Sequence, residues 1–207
     1  MKIFNALNEH YEGLLTAEGI PFPNDLQQLV LQRTKQGGDL LLTAPEGSGK
    51  TTAALMSILQ KCPESMEGSP RVIYICNDND QVRAITRLLR QISRRKELMI
   101  EEANDKGNII EQRIQIFEGA DIIIGNPQRI YDLYIQNGIN LGELKLMIMD
   151  DTESMMGERL ILGFRRLITG LPKCQRFIMA GSKTEKLQRF SEEFLQHPAE
   201  AEFNGQV

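Results

Sequence analysis

Two short stretches concentrate the residue types that handle phosphate and metal. The first is Ala44-Pro45-Glu46-Gly47-Ser48-Gly49-Lys50-Thr51-Thr52, which follows an apolar run and opens a helical pattern. Gly47 and Gly49 let backbone N–H groups turn inward around phosphate oxygens, and the helix N-terminus adds its dipole. Lys50 has the reach for the terminal phosphates of a nucleotide, and the Thr51 hydroxyl suits a magnesium ion. The strict form of such a loop starts with glycine, and Ala44 stands there instead. The second stretch is Asp150-Asp151-Thr152-Glu153, directly after Leu146-Met147-Ile148-Met149. A carboxylate at a strand end downstream of a phosphate loop suits a Mg²⁺ role, which falls to Asp150. Asp151 is then placed to orient or deprotonate an attacking water. A glycine turn with an exposed lysine and an acidic helix cap are the plainer readings of the two stretches.

The elements that must position these groups alternate in period. Leu40–Ala44, Val72–Cys76, Asp121–Gly125, Leu146–Met149 and Phe177–Ala180 are short runs, apolar on both faces, as covered parallel strands are; Leu98–Ile100 is a weaker sixth. Helical patterns lie between them at Lys50–Lys61, Asp80–Arg95, Pro127–Gln136 and Glu158–Ile168, with loops at Pro63–Pro70 and Ala103–Asn108. The alternation predicts an α/β fold of three layers, with a mostly parallel central sheet and helices on both faces. Ligands of such sheets bind at the carboxyl ends of the strands. No internal repeat or domain boundary is visible, so the 207 residues read as one domain.

Composition narrows the classes. The 207 residues are 41% hydrophobic and 25% charged with net charge −4, which describes a soluble globular chain without the overall basicity of a protein that holds nucleic acid by charge alone. No run reaches the ~20 apolar residues of a membrane span, and the N-terminus lacks the apolar stretch of a signal peptide. Cys62, Cys76 and Cys174 are odd in number and have no CxxC spacing, which fits reduced thiols in the cytoplasm.

Taken together, these motifs resemble the first RecA-like domain of DEAD-box RNA helicases, from about Phe4 to about Phe203. Gly19-Ile20-Pro21-Phe22-Pro23-Asn24-Asp25-Leu26-Gln27 has the spacing of the family's adenine-reading Q motif. The resemblance makes Gln27 the adenine-binding residue, supported by Phe4, and makes Pro45–Thr52 the nucleotide loop. Residues 1–36 correspond to the Q-motif region and 37–207 to the P-loop core. Asp150-Asp151-Thr152-Glu153 sits where the family has Asp-Glu-Ala-Asp. Asn126-Pro127-Gln128-Arg129 sits where it has Thr-Pro-Gly-Arg, making Asn126, Gln128 and Arg129 the RNA-contact candidates. Gln112 has the spacing of a glutamine common upstream of that motif. Ala180-Gly181-Ser182 sits at the coupling motif, so Ala180 and Ser182 are the coupling positions. The resemblance implies ATP, Mg²⁺, RNA and a second RecA-like domain that this chain lacks. It implies Lys50, Asp150 and Asp151 as catalytic.

The departures fall mainly on the RNA side. Asn77-Asp78-Asn79-Asp80-Gln81 replaces Pro-Thr-Arg-Glu-Leu, so a phosphate-contacting arginine becomes Asn79 between two acids. A Gly-Gly pair becomes Asp105-Lys106, and the catalytic glutamate becomes Asp151, one methylene shorter. Ile20 and Asn24 depart within the Q motif, and Ala180 and Ser182 within the coupling motif. The expectation is a domain that binds ATP or ADP, hydrolyses poorly and holds RNA weakly. A nucleotide-binding scaffold without catalysis, and another P-loop enzyme such as a nucleoside kinase, are the alternatives.

Remaining features have bland readings. Arg83, Arg87, Arg90 and Arg94 share a helix face opposite Val82, Ile85, Leu88, Leu89 and Ile92, which reads as a solvated surface helix or a phosphate-binding face. Met147, Met149, Met155 and Met156 read as core filling and Cys76 as a small buried hydrophobe. His10 and His197 are too sparse for a metal site.

Overall fold

The computed structural model describes residues 23–203, with Thr16 and Gly19 as isolated positions before them. Phe4 and Ile20 lie outside the described residues.

Among the described residues, seven short strands form one parallel sheet: β1 (Leu40–Thr43), β2 (Val72–Ile75), β3 (Ile100–Ala103), β4 (Ile122–Gly125), β5 (Leu146–Met149), β6 (Gln175–Ala180) and β7 (Ala199–Glu202). Their spatial order is β3-β4-β2-β5-β6-β1-β7, and every pairing is parallel. The helices are α1 (Asp25–Gln36), α2 (Lys50–Lys61), α3 (Asn79–Ser93), α4 (Ile109–Glu118), α5 (Pro127–Ile135), α6 (Glu158–Gly170) and α7 (Glu185–Phe194).

The two-faced apolar strands explain the three layers. Leu40, Leu42, Val72 and Tyr74 join the core packed with α1, α2 and α3. Their neighbours Leu41, Ile73 and Ile75 point the other way, into a second core with α4 to α7. Period-two alternation thus buries both faces, and each fully buried Leu or Ile adds roughly 1.5–3 kcal/mol. The methionines confirm the core-filling reading: Met147, Met149, Met155 and Met156 are all buried in the second core.

At the amino ends of the strands a buried ion pair braces the sheet. Arg71, 2% exposed, pairs with Asp121, whose side chain is fully buried. Asp121 also accepts from the Ser65 hydroxyl at 2.9 Å and from the Met66 and Met99 amides at 3.1 and 3.0 Å. A buried charge needs such complete partnering.

Some boundaries correct the sequence reading. The sixth strand is Ile100–Ala103, two residues beyond Leu98–Ile100, because Met99 is held in the loop by Asp121 and the strand carries half-exposed Glu101 and Glu102 at the sheet edge. Ala103 therefore leaves the expected 103–108 loop, and Asn108 leaves it as the cap of α4. The basic helix stops at Ser93 and continues as a 3₁₀ turn, Arg94–Lys96. Helices α4 and α7 were not expected. Nor was β7, whose Ala-Glu-Ala-Glu sequence contains no apolar run and alternates half-buried with exposed.

Parallel strands put all their carboxyl ends on one edge. Residues 44–52, Cys76–Gln81, Asn126, Asp150–Glu153 and Gly181 converge there.

Candidate nucleotide site and the neighbouring sheet edge

The phosphate loop is shaped by its glycines and tied down by α1. Gly47 and Gly49 adopt left-handed backbone, φ 77° and 93°. At Gly49 space matters as well: a Cβ there would lie 2.5 Å from Gln27 Nε2. Asn24 caps α1 in a reciprocal capping box, accepting from the Gln27 amide while Gln27 Oε1 accepts from the Asn24 amide. The two side chains also reach the loop. Asn24 Nδ2 donates to the Ser48 carbonyl at 3.0 Å, and Gln27 Nε2 approaches the Gly49 carbonyl at 3.5 Å.

Lys50 opens α2 and is 7% exposed. Its ammonium donates back to the Ala44 and Pro45 carbonyls at 2.7 and 3.0 Å. Such a buried cation, held by neutral carbonyls among the described residues, is complementary to an anion. Ser48 Oγ is buried with no hydrogen-bond partner among the described residues. Pro45, Glu46 and Gly47 are exposed, and Thr51 and Thr52 half-buried.

Asp150 ends β5 fully buried. Its Oδ2 accepts from the Thr51 hydroxyl at 2.7 Å and the Tyr74 hydroxyl at 2.6 Å. Burial raises its carboxyl above the usual carboxylate range, and these two hydroxyl donors oppose the shift. The same proximity, on top of burial, pushes the Tyr74 phenol up. Asp150 and Thr51 form a pair of hard oxygen donors of the kind a magnesium ion takes.

Asp151 turns the chain with φ 51°, a conformation L-residues other than Asn and Asp adopt at a cost. Its Oδ2 lies 3.5 Å from Gln81 Nε2. Asp151, Lys50, Glu46, Gln81 and Glu153 line one open cleft of about 850 Å³. Beyond it, the Thr152 hydroxyl donates to the Met149 and Met179 carbonyls at 3.0 and 3.1 Å, and the Gly181 amide donates to the Glu153 carboxylate. β5 and β6 are joined at this edge through Thr152 and Glu153. Ala180, fully buried, contributes its carbonyl to the Ala44 amide at 3.0 Å, and Ser182 is exposed.

The edge beyond β2 is organised differently. Asn126 caps α5 by accepting from the Arg129 amide, and Pro127 occupies the first turn, where its missing N–H is harmless. Asn126 Nδ2 donates to Asn79 Oδ1 at 2.9 Å, and Asn79 Nδ2 donates to the Asp105 carboxylate. Arg129 is only 8% exposed. Its guanidinium donates to Gln112 Oε1 at 3.1 Å and to the Asp105 and Gly107 carbonyls, each at 3.0 Å. Gln112 in turn donates to the Asn104 carbonyl at 3.0 Å. Most side-chain groups of this edge are thus paired with one another, while Arg129 Nε is buried with no hydrogen-bond partner among the described residues. Gln128 is half-buried and donates to Asp132 at 2.8 Å, whereas Asp78 and Asp80 are exposed.

Comparison with known proteins bears on both halves. The DEAD/DEAH box helicase family model matches residues 24–190. The chain belongs to this family. It is 25% identical over 203 residues to the rice DEAD-box ATP-dependent RNA helicase 9, covering 93% of this chain and 31% of that protein. It is 27% identical over 198 residues to the ATP-dependent RNA helicase RhlB of Pseudoalteromonas atlantica, covering 93% and 47%. The chain thus spans about a third to a half of the length of these relatives. Among solved structures, the yeast DEAD-box splicing factor Prp28 superposes with TM-score 0.84 at 17% identity, over 98% of this chain and 51% of that one. A hypothetical ATP-dependent RNA helicase from Sulfolobus tokodaii gives 0.81 at 20%, over 95% and 57%. Both likenesses establish the RecA-like fold.

Within this DEAD/DEAH box domain, Gln27 meets the loop at Gly49, Thr51 meets Asp150, and Lys50 shares a cleft with Asp151. Asn126 and the terminal nitrogens of Arg129 are engaged by neighbouring residues, and only Arg129 Nε is left without a partner among the described residues. Sequence reading named Asn24, Gln81 and Glu153 within motifs without assigning them contacts at the site, and missed Tyr74. Asn24 with Gln27 was findable as an Asn-x-x-Gln capping box. Tyr74 sits inside an apolar strand, where no local pattern marks it. Cys76 is fully buried, with a thiol pushed up chiefly by burial, in line with a small hydrophobe. Among the described residues no group of His, Cys, Asp and Glu forms a metal-binding cluster, and no helix is long and apolar enough to cross a membrane.

Proposed function

We propose that residues 1–207 form the ATP-binding domain of a DEAD-box RNA helicase, working with a second RecA-like domain to remodel RNA. The single observation that carries this reading is the triangle of Lys50, Thr51 and Asp150: a buried ammonium with no carboxylate partner among the described residues, beside a threonine already joined to a strand-end aspartate.

In this reading Gln27 reads adenine and the Gly47–Thr52 amides cradle the phosphates. Lys50 exchanges its loop carbonyls for phosphate oxygens. Thr51 and Asp150 would hold Mg²⁺, which would supply charge neutralisation on the phosphate oxygens. Asp151 places the attacking water, with its carboxylate about an ångström short of a glutamate's reach, a displacement that can cost about a hundredfold in rate. Asn126, Gln128 and Arg129 bound the RNA edge, and Ala180 with Ser182 marks the coupling segment to strand separation.

A second reading is favoured by the largely internal pairing of Asn79, Asp105 and Arg129 at the edge: a nucleotide-gated scaffold with little catalysis. Two measurements separate them. A fluorescent ATP analogue should bind the chain in a Mg²⁺-dependent way. Beside an intact second domain, Asp151→Glu should then raise RNA-stimulated ATPase. Persistent absence of hydrolysis in that variant favours the scaffold; hydrolysis at ordinary helicase rates with Asp151 in place would sink the expectation of a weak enzyme. No binding of the analogue would overturn both.

A further inference from the structure

Helix α4 buries one face and leaves the other exposed among the described residues. Gln112 and Ile116 turn inward, 6% and 5% exposed. Ile110, Ile114 and Phe117 are 65%, 51% and 90% exposed. Their i, i+4, i+7 spacing sets them side by side on one stripe. Scattered apolar residues are ordinary on a monomer's surface; three large ones in helical register, one of them a nearly bare phenyl ring, form a docking face.

The flanks of the stripe differ in charge. Glu111, Gln115 and Glu118 repeat the same spacing one step around the helix, all exposed. Glu101 of the adjoining strand lies close to this row: burial foremost raises its carboxyl, Arg90 opposes, and Glu102 and Glu118 raise it further. The cation on the opposite flank, Arg113, lays its stem against the end of α5, where a Cβ on Gly138 would stand 3.1 Å from Arg113 Cγ. An apolar stripe bordered by a carboxylate row is complementary to an amphipathic helix with a basic border.

The geometry points to the outer face of α4 as the docking site for an amphipathic helix of a protein partner. That helix carries large apolar anchors at helical spacing and Lys or Arg along the border that meets Glu111 and Glu118. A second copy fits less well, because antiparallel pairing of two α4 helices would bring the Glu row against itself. An anionic membrane would be repelled by the same row. The site is independent of the nucleotide reading.

The test uses the whole chain and a fluorescein-labelled synthetic helix with leucine anchors and a lysine border, followed by anisotropy. Two control peptides carry the same anchors with a glutamate border, or the lysine peptide's composition scrambled. The lysine-bordered helix should bind saturably and better than both controls. Phe117→Ser should weaken it about tenfold or more, the effect of losing a central aromatic anchor. Glu111→Lys with Glu118→Lys should shift preference to the glutamate-bordered helix. Should Phe117→Ser misfold by circular dichroism, Ile114→Gln carries the same expectation. Equal binding of the scrambled peptide, or indifference to both stripe substitutions, overturns the proposal. So does self-association in sedimentation that Phe117→Ser abolishes while no peptide binds.

Discussion

The nucleotide pocket and the edge beyond β2 are built from the same kind of loop at the carboxyl ends of neighbouring strands, yet their polar groups are disposed in opposite ways. In the pocket, Lys50 rests on two neutral carbonyls and Asp150 on two hydroxyls. Each charge is solvated by groups that a stronger ligand can displace. At the edge, Arg129 is bound by Gln112 and two backbone carbonyls, and Asn79 joins Asn126 to Asp105. There the polar groups tie separate segments together, Arg129 joining α4 to the 105–107 loop through neutral oxygens while its Nε has no partner among the described residues. The lesson is that a motif residue can keep its type and place while its hydrogen-bonding capacity is committed internally.

The contrast can be broken at four points. The largest effect is expected from Lys50→Ala: affinity for a fluorescent ATP analogue should fall at least about tenfold, because charged hydrogen bonds contribute about 1.5–3 kcal/mol each. An unchanged affinity would mean that the ammonium is framework too. Next, Arg129→Ala should lower unfolding stability by about 2–4 kcal/mol, since it strands a buried glutamine and two carbonyls. Normal urea stability with lost RNA affinity would instead make Arg129 a ligand.

Asn79→Arg, which adds a cation between Asp78 and Asp80, should raise single-stranded RNA affinity a few-fold and steepen the salt dependence of binding by about one ion. A flat response would mean that RNA does not pass this edge. The smallest effect concerns pH. Because burial raises Asp150, its protonation begins at higher pH than for an ordinary carboxylate, and the Mg²⁺-dependent part of nucleotide affinity should fade as pH falls through that range. Tyr74 donates to the ionised form and holds the value down. Tyr74→Phe should therefore move the fade to still higher pH, measured by Mg²⁺ titration of the analogue at a series of pH values.

Much of the architecture was legible because its signals are local. Lys50–Lys61 came out with the expected bounds, and five strands were visible as apolar runs, since burial on both faces leaves that trace. Edge elements left none: Glu101 and Glu102 interrupt β3, and β7 alternates alanine with glutamate. Of the site, the phosphate loop and the aspartates were readable from type and order. The partners that qualify them were not. Tyr74 reaches Asp150 across the sheet and Asn79 reaches Asn126 between loops, contacts 76 and 47 residues apart in sequence that no spacing rule encodes.

The brace at the opposite end of the sheet has a dynamic consequence. Arg71 and Asp121 pin the amino ends of β2 and β4, together with the loops at Ser65, Met66 and Met99. Local opening should therefore start from the carboxyl edge and run towards that clamp. Amide hydrogens of β2 and β4 near the clamp would be the last to exchange. The loops that meet nucleotide would then be free to rearrange over a floor that does not open with them.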